Sequence, residues 1–232
     1  MTPIVISTVN GKGLPVLLES IRQYAPQVQV YIRGSESVLE RLDYRKAKLI
    51  FGQPSNFGDD YNHVISRALD DGHLGVIVTN DDIVLTPSSY RILMDDVDVV
   101  DSLGRKVGLV GARSDAIRRS QNVRLNLEGE KLNGMKFKHE AYIRPAPAIS
   151  PIFAFLSEQA FSECRFPPIN YFGDDVICRD LAQRGYEHFV SASYVHHIGS
   201  NTIGTDAQAL TDESMPWLRA NRQEYLDEWF KS

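Results

Sequence analysis

An uncharged apolar run, Gly75-Val76-Ile77-Val78-Thr79, stops abruptly at an amide and two carboxylates, Asn80-Asp81-Asp82. A strand buried on both faces reads this way, and open α/β sheets bind ligands beyond the carboxyl ends of such strands. Three short oxygen-bearing side chains there suit a divalent cation, which in turn neutralises a diphosphate. Taken alone, the tripeptide reads first as a strand followed by an Asn-Asp turn, and only the rest of the chain reverses that ordering. The other residues able to do chemistry are the acid pair Asp174-Asp175, directly after Gly173, and His197, at the end of Tyr194-Val195-His196-His197. Adjacent carboxylates raise each other's proton affinity, which suits a general base, whereas acids at a helix start also act as caps. His197 is either a metal ligand or a hydrogen-bonded structural residue. His196 points to the opposite face of a strand and takes the structural reading.

These residues need elements to hold them. Ile4-Val5-Ile6-Ser7-Thr8 reads as a strand, Asn10-Gly11-Lys12-Gly13 as a turn, and Leu14, Leu17, Leu18 and Ile21 as one helical face. Strands follow at 28–32 and 48–51; Tyr61, Val64, Ile65, Ala68 and Leu69 mark a helix, and the strand at 75–79 comes next. Such alternation implies a mostly parallel sheet. Pro87-Ser88-Ser89 opens a helix through Leu93, and Ile152–Leu156 is a strand with Ser157 placed to cap a short helix containing Ala160 and Phe161. Ile177 and Leu181 share a helical face that Gly185 ends with a left-handed cap, so Asp174 and Asp175 stand at that helix's amino end. Met215, Leu218, Arg222, Tyr225, Leu226 and Trp229 mark one closing amphipathic helix, with Trp217, Tyr225 and Trp229 structural. The segment 113–150 is charged and weakly periodic and reads as a surface excursion.

The chain of 232 residues, 43% hydrophobic, is large enough for a substantial core, and its net charge of −5 disfavours nucleic acid as a bulk partner. Arg113, Arg118, Arg119 and Arg124 form a local basic run, read as solvated or as attracting an anionic acceptor. Cys164 and Cys178 lack the spacing of a disulfide framework or a metal site and read as buried thiols in a reducing compartment. With no leader and no apolar stretch long enough to span a bilayer, a cytoplasmic protein without an integral membrane segment is expected.

In order along the chain stand Asn10, Asn56-Phe57-Gly58-Asp59-Asp60-Tyr61-Asn62, Asn80-Asp81-Asp82, Gly173-Asp174-Asp175 and His197-Ile198-Gly199-Ser200. This order resembles the glycosyltransferases of the GT-A fold, family 2, from Pro3 to about Trp229. The resemblance implies an α/β chain of GT-A type: a Rossmann-like, mostly parallel central sheet flanked by helices, in a single domain over 1–232. A nucleotide-sugar-binding half, 1–105, would precede an acceptor and catalytic half, 106–232, that contains the excursion.

The resemblance implies that Asn80-Asp81-Asp82 stands where relatives carry a D-x-D motif, with Asp82 on the cation and Asn80 and Asp81 near the ribose and diphosphate. Asn at the first position departs from that pattern, since an amide ligates a metal more weakly than a carboxylate. His197, by the H-x-G-S pattern, would join Asp82, and its nitrogen favours Mn²⁺ over Mg²⁺. Asp175, the second acid of the pair, would take the proton from the acceptor hydroxyl; Asp174 is the alternative, because the spacing to Gly185-Tyr186 is shorter than in a common form of the motif. Thr8, Asn10, Asn56 and Asn62 would shape the pocket for base and ribose. Many relatives carry an acid after the second strand that reads uracil, whereas this chain has Arg33, which cannot accept a hydrogen bond. Arg33 therefore contacts phosphate or base, or is solvated, and a uridine donor does not follow.

The activity implied is metal-dependent transfer of a hexosyl or pentosyl group from a nucleotide-sugar donor to a hydroxyl of a glycan, lipid, protein or modified nucleic acid, with inversion by direct displacement. Two rivals are a nucleotidyltransferase of sugar phosphates, for which Gly11-Lys12-Gly13 is a faint echo of a phosphate loop, and a non-catalytic nucleotide- or carbohydrate-binding module.

Overall fold

The computed structural model describes residues 1–42, 44, 46–124, 142–198 and 207–230. Gly199 and Ser200 of the H-x-G-S pattern, and 125–141 of the excursion, lie outside the described residues. In chain order the elements are β1 (Ile4–Ser7), α1 (Leu14–Tyr24), β2 (Val30–Gly34), α2 (Glu36–Leu39), β3 (Ala47–Phe51), α3 (Phe57–Asp70) and β4 (Gly75–Thr79). There follow β5 (Ile83–Leu85), α4 (Ser89–Ser102), β6 (Val107–Arg113), β7 (Arg144–Ala146), β8 (Phe153–Ser157) and α5 (Glu158–Glu163). The last are α6 (Gly173–Gln183), β9 (Glu187–His197), α7 (Ala207–Asn221) and α8 (Gln223–Trp229).

One sheet of nine described strands runs β3-β2-β1-β4-β8-β6-β9-β5, with β7 also on β9. The parallel run expected from strand–helix alternation is β3-β2-β1-β4. Strand β8 then enters antiparallel to both β4 and β6. Its first residues pair with the last of β4, Thr79 opposite Phe153, so the chain arrives from the excursion at the sheet edge where β4 and β6 end. No crossover is needed, and an antiparallel strand results. The excursion also returns a strand to the sheet, because β7 pairs antiparallel with β9, which itself runs parallel to β6.

Side chains alternate across this sheet with the two-residue period of a strand. Ile4, Ile6, Val30, Ile32 and Ile77 pack with Leu14, Leu17, Ile21, Leu93 and Val97 of α1 and α4 on one face. Val5, Tyr31, Val76 and Val78 pack with Val64, Ile65, Phe161, Ile177 and Leu181 of α3, α5 and α6 on the other. Two helix expectations are corrected. The helix opened by Pro87-Ser88-Ser89 continues well past Leu93, to Ser102. The single closing helix is two, broken at Arg222, whose backbone leaves the helical region at φ −148° while its guanidinium grips Asp180 through two bonds of 3.1 and 2.7 Å.

Beneath the site, His188 on β9 ties three elements together. It is buried, its Nδ1 accepts from the Leu109 amide at 3.0 Å, and its Nε2 lies 2.8 Å from the Cys178 carbonyl and donates to it. That pattern requires the neutral ring, and burial pushes its pKa below the usual 6.5 despite the opposing pull of the Cys178 carbonyl. A histidine held neutral in the fold contributes its full stability above the unfolded-state pKa and loses it as pH falls through the folded-state value. The unfolding free energy, read from denaturant titration, is therefore expected to drop on acidification below pH 6.5 by up to about 1.4 kcal/mol per pH unit from this group. Comparison with His188→Gln, which cannot titrate, isolates that contribution.

Candidate active site

The end of β4 is tied to the start of β8: the Thr79 hydroxyl donates to the Ile152 carbonyl at 2.7 Å and the Asn80 amide donates to it at 3.1 Å. The Thr8 hydroxyl donates to Asp81 Oδ2 and accepts from the Gly11 amide at 3.0 Å, so the loop after β1 lies on the acidic segment. Gly13 permits this approach, since a Cβ there would stand 2.4 Å from the Asp81 carbonyl oxygen. Burial pushes the Asp81 carboxyl up, with the Thr8 bond opposing it.

Strand β5 pairs with the end of β9 and sets Ile83 opposite His197. Asp82, one residue before, meets His197 directly, Oδ1 to Nε2 at 3.1 Å, and both side chains are largely buried. Nδ1 of His197 donates to the Ala116 carbonyl, and the His197 amide donates to Asp115 Oδ1 at 3.2 Å. With its proton on Nδ1, a neutral His197 turns the Nε2 lone pair toward a carboxylate. Two acceptors facing each other require a proton or a metal cation between them. In the absence of metal the proton is favoured: burial lowers the His197 pKa, but the bond to Asp82 and its charge outweigh that and raise it. An oxygen and a nitrogen bound about 2.1 Å from one ion at right angles stand about 3 Å apart, so this donor pair fits a cation. The Ala116 carbonyl on the remote nitrogen is the usual support for a ligating histidine. Among the described residues no group of three or more His, Cys, Asp or Glu could hold a metal unaided. A cation held here would therefore have Asp82 and His197 as its protein ligands among the described residues and take its other oxygens from elsewhere.

Two cavities meet at this pair. One, of about 520 Å³, is walled by Ser7, Val9, Pro54, Ser55, Asn56, Asp60, Tyr61, Asp81, Asp82 and Leu210. The other, of about 380 Å³, is walled by Ala116–Arg118, Ser150–Ile152 and Tyr171–Asp175. Phe57, Asn80, Asn170 and His197 line both. In the second lobe Arg118 bonds both acids, Nη2 to Asp174 Oδ2 at 2.6 Å and Nη1 to Asp175 Oδ1 at 3.0 Å. Burial, then the charge of Asp174, pushes the Asp175 carboxyl up, with Arg118 pulling it down.

This architecture has known counterparts in S. aureus TarS, a family 2 glycosyltransferase. One TarS structure superposes with a TM-score of 0.57 and 14% identity, over 86% of this chain and 37% of that one. A second, of residues 1–349 with UDP-GlcNAc, gives 0.57 and 12%, over 88% and 61%. A third, of residues 1–349 alone, gives 0.57 and 12%, over 100% and 76%. The chain has the GT-A glycosyltransferase fold. It thus spans about a third to three quarters of the TarS chains it superposes on. No protein-family model and no curated protein sequence matches it.

Within the GT-A fold, the residues singled out in the sequence are placed as follows. Asn80, Asp81, Asp82, Asn56 and His197 line the first lobe, and Asp174 and Asp175 the second. Asn56 also caps α3, its Oδ1 accepting from the Asp59 amide at 2.9 Å. Thr8 reaches the site only through Asp81. Three others line neither lobe. Asn62 does not line the cleft, because its amide group is clasped to the Phe166 backbone by bonds of 2.8 and 3.0 Å. Asn10 is exposed and accepts from the Lys12 amide at 2.9 Å. Arg33 is neither solvated nor on the cleft wall; it pairs with Asp60 at 2.9 Å, and Asp60 is the charged group presented to the first lobe. The basic run is corrected likewise: Arg113 is buried and Arg118 holds the acid pair.

Residues missed from the sequence include Asp60, Ser150 and Asn170. Asn170 accepts from the Phe57 amide at 2.9 Å and donates to Glu213 of α7 at 2.9 Å, joining three segments at the junction of the lobes. Asp60 lies inside the Asn56–Asn62 segment already singled out, in the first turn of α3, whereas no sequence signal marked Ser150 or Asn170. The acid pair itself is set by Phe172, the single non-glycine residue with positive φ among the described residues, at φ 65°. Its ring stacks on Trp229 at 5.9 Å and meets Tyr171 edge-on at 4.7 Å. The first turn of α3 presses on the loop before α6 so closely that a Cβ at Gly58 would stand 1.7 Å from the Pro167 carbonyl oxygen. Gly58→Ala must move one backbone off the other and is expected to lower stability by about 1–3 kcal/mol, read as a shift of the urea midpoint.

Proposed function

We propose that this protein is a metal-dependent glycosyltransferase that moves a sugar from a nucleotide-sugar donor to an acceptor hydroxyl, with inversion at the anomeric carbon. The observation that carries this reading is the Asp82–His197 pair at the junction of two lobes, one of them walled by the Asp174-Asp175 pair. The GT-A fold and the UDP-GlcNAc bound by one TarS structure support a nucleotide-sugar donor in the larger lobe.

On this reading the donor lies across the ends of β1 and β4. Asn80 and Asp81 sit at the ribose and diphosphate, with Asp81 held by Thr8. Ser7, Val9, Pro54, Ser55, Asn56 and Asp60 form the base end. Asp82 and His197 hold a divalent cation, Mn²⁺ suiting the mixed oxygen and nitrogen donors better than Mg²⁺. When bound, the cation offsets the negative charge that collects on the departing diphosphate. The acceptor enters the smaller lobe, where Asp175 takes the proton of its hydroxyl as that oxygen attacks the anomeric carbon from the side opposite the leaving group. A raised pKa fits that task, since a stronger base removes the proton more readily. The elements of 1–105 serve mainly the donor and those of 106–232 the acceptor, with Asn170, His197 and Leu210 reaching back to the donor lobe. Among the described residues no helix is long and apolar enough to cross a membrane, and the two unpaired, buried cysteines suit a reducing compartment such as the cytoplasm.

Calorimetry with UDP, the nucleotide suggested by the TarS complex, should give tighter binding with Mn²⁺ than without it. Asp82→Ala and His197→Ala should each lose about tenfold or more of that metal-dependent gain. An undiminished gain in Asp82→Ala would remove the metal from this position. Asp175→Asn should bind nucleotide as the wild type does, yet lose transfer by about 10²–10⁴-fold, and the wild-type product should carry the inverted anomeric configuration by NMR. Retained turnover in Asp175→Asn, or a retained configuration, would overturn the direct-displacement reading.

A further inference from the structure

Arg118 follows β6 in what the sequence presents as a solvated basic run. Its side chain is instead 23% exposed and its guanidinium is engaged on every nitrogen. Nε donates to Ser150 Oγ at 2.7 Å, Nη1 to Asp175 Oδ1 at 3.0 Å and Nη2 to Asp174 Oδ2 at 2.6 Å. Ser150 Oγ in turn donates to the same Asp174 oxygen at 2.7 Å. The two acids therefore differ. Asp174 accepts at both oxygens, Oδ1 taking the Asp175 amide at 3.1 Å. Asp175 accepts from Arg118 at Oδ1; no donor is placed on its Oδ2 among the described residues, and its side chain is 33% exposed in the smaller lobe.

We propose that Arg118 is a positioning residue that divides the roles of the two adjacent acids, fastening Asp174 in place by hydrogen bonds and leaving one oxygen of Asp175 for the acceptor hydroxyl. The inference rests on the reading of Asp175 as the base and adds what distinguishes it from its neighbour. Two adjacent carboxylates with no cation between them share a proton, and neither has a defined role. A guanidinium fork spanning both opposes this, because its planar donors fix one oxygen of each acid at once and its charge pulls the Asp175 carboxyl down against burial and the charge of Asp174. Lysine supplies the charge without the fork. Among the described residues, the titratable and charged groups that line this cavity with Asp175 are Asp174 on its own helix, Tyr171 just before that helix, Arg118 from the loop after β6, and His197 from β9.

The test is a pH titration of the Asp side-chain carboxyl ¹³C resonances in the full chain without metal, for wild type, Arg118→Gln and Arg118→Lys. In Arg118→Gln the Asp175 midpoint should move to higher pH and the two acids should titrate together; in Arg118→Lys the upward shift should be smaller. Folding of each variant is checked by circular dichroism, and Arg118→Lys carries the test where Arg118→Gln is unfolded. Midpoints unmoved in the folded variants overturn the proposal, as does a wild-type protein in which Asp174 has the higher midpoint. The base assignment is read separately, from turnover of Asp175→Asn, so either idea can fail without the other.

Discussion

The short pairing of β5 with the end of β9 is the constraint on which the site depends. It spans only Ile83–Leu85, yet it sets Asp82 against His197 across more than a hundred residues of sequence. Neither residue is positioned by its own neighbourhood alone. Asp82 follows a strand on the parallel side of the sheet, while His197 ends a strand that lies three places further along it. The reversal at β8 makes this possible, since it brings the excursion and the strands beyond it to the edge where β1 and β4 already end. Loops from both halves then crowd one rim, which is where open α/β sheets have room for ligands.

Crowding that rim with acids carries an electrostatic cost, and the fold meets it with individually placed cations rather than a basic surface. Asp60 is paired with Arg33, Asp174 and Asp175 with Arg118, and Asp82 with His197. The first two cations are arginines, charged at any pH a protein experiences, and their forks fix geometry as well as charge. The third is a histidine, which can give up its proton to a competing cation. The permanent pairs thus shape the walls of the two lobes. The exchangeable pair stands at their junction, where the proposed chemistry needs charge to come and go.

Much of this was legible in the sequence because it rests on local contrast. The β4 run ends in Asn80-Asp81-Asp82 with no intervening residue, and the apolar spacing of α1 and α3 marks their buried faces directly. Strand β5 was not legible: three residues carry no period, and β7, with Pro145 at its centre, reads as the end of a loop. The misplacement of Asn62 has a geometric cause. Successive helical residues turn by about 100°, so Asp60 and Asn62 flank the buried Tyr61 on opposite sides, and which side meets the cleft is decided only by how α3 lies on the sheet. Arg118 was misread because sequence displays a charge without its partner; Asp174 and Asp175 lie more than fifty residues away.

The left-handed Phe172 connects the carboxyl-terminal helices to the chemistry. A non-glycine residue in that region costs on the order of 1–3 kcal/mol and persists only where its surroundings hold it. Here the hold comes from Trp229 and Tyr171, and α8, which carries Trp229, is itself fastened by Tyr225 and Arg222 to Asp180 of α6. Arg222, at the break between α7 and α8, bonds Asp180 through two nitrogens. The strained residue immediately precedes Gly173-Asp174-Asp175, so the direction in which α6 presents its first acids follows from it. The acid pair is therefore gripped from two sides, by Arg118 at the carboxylates and by the aromatic stack at the backbone, and among the described residues no donor is placed on the outer oxygen of Asp175.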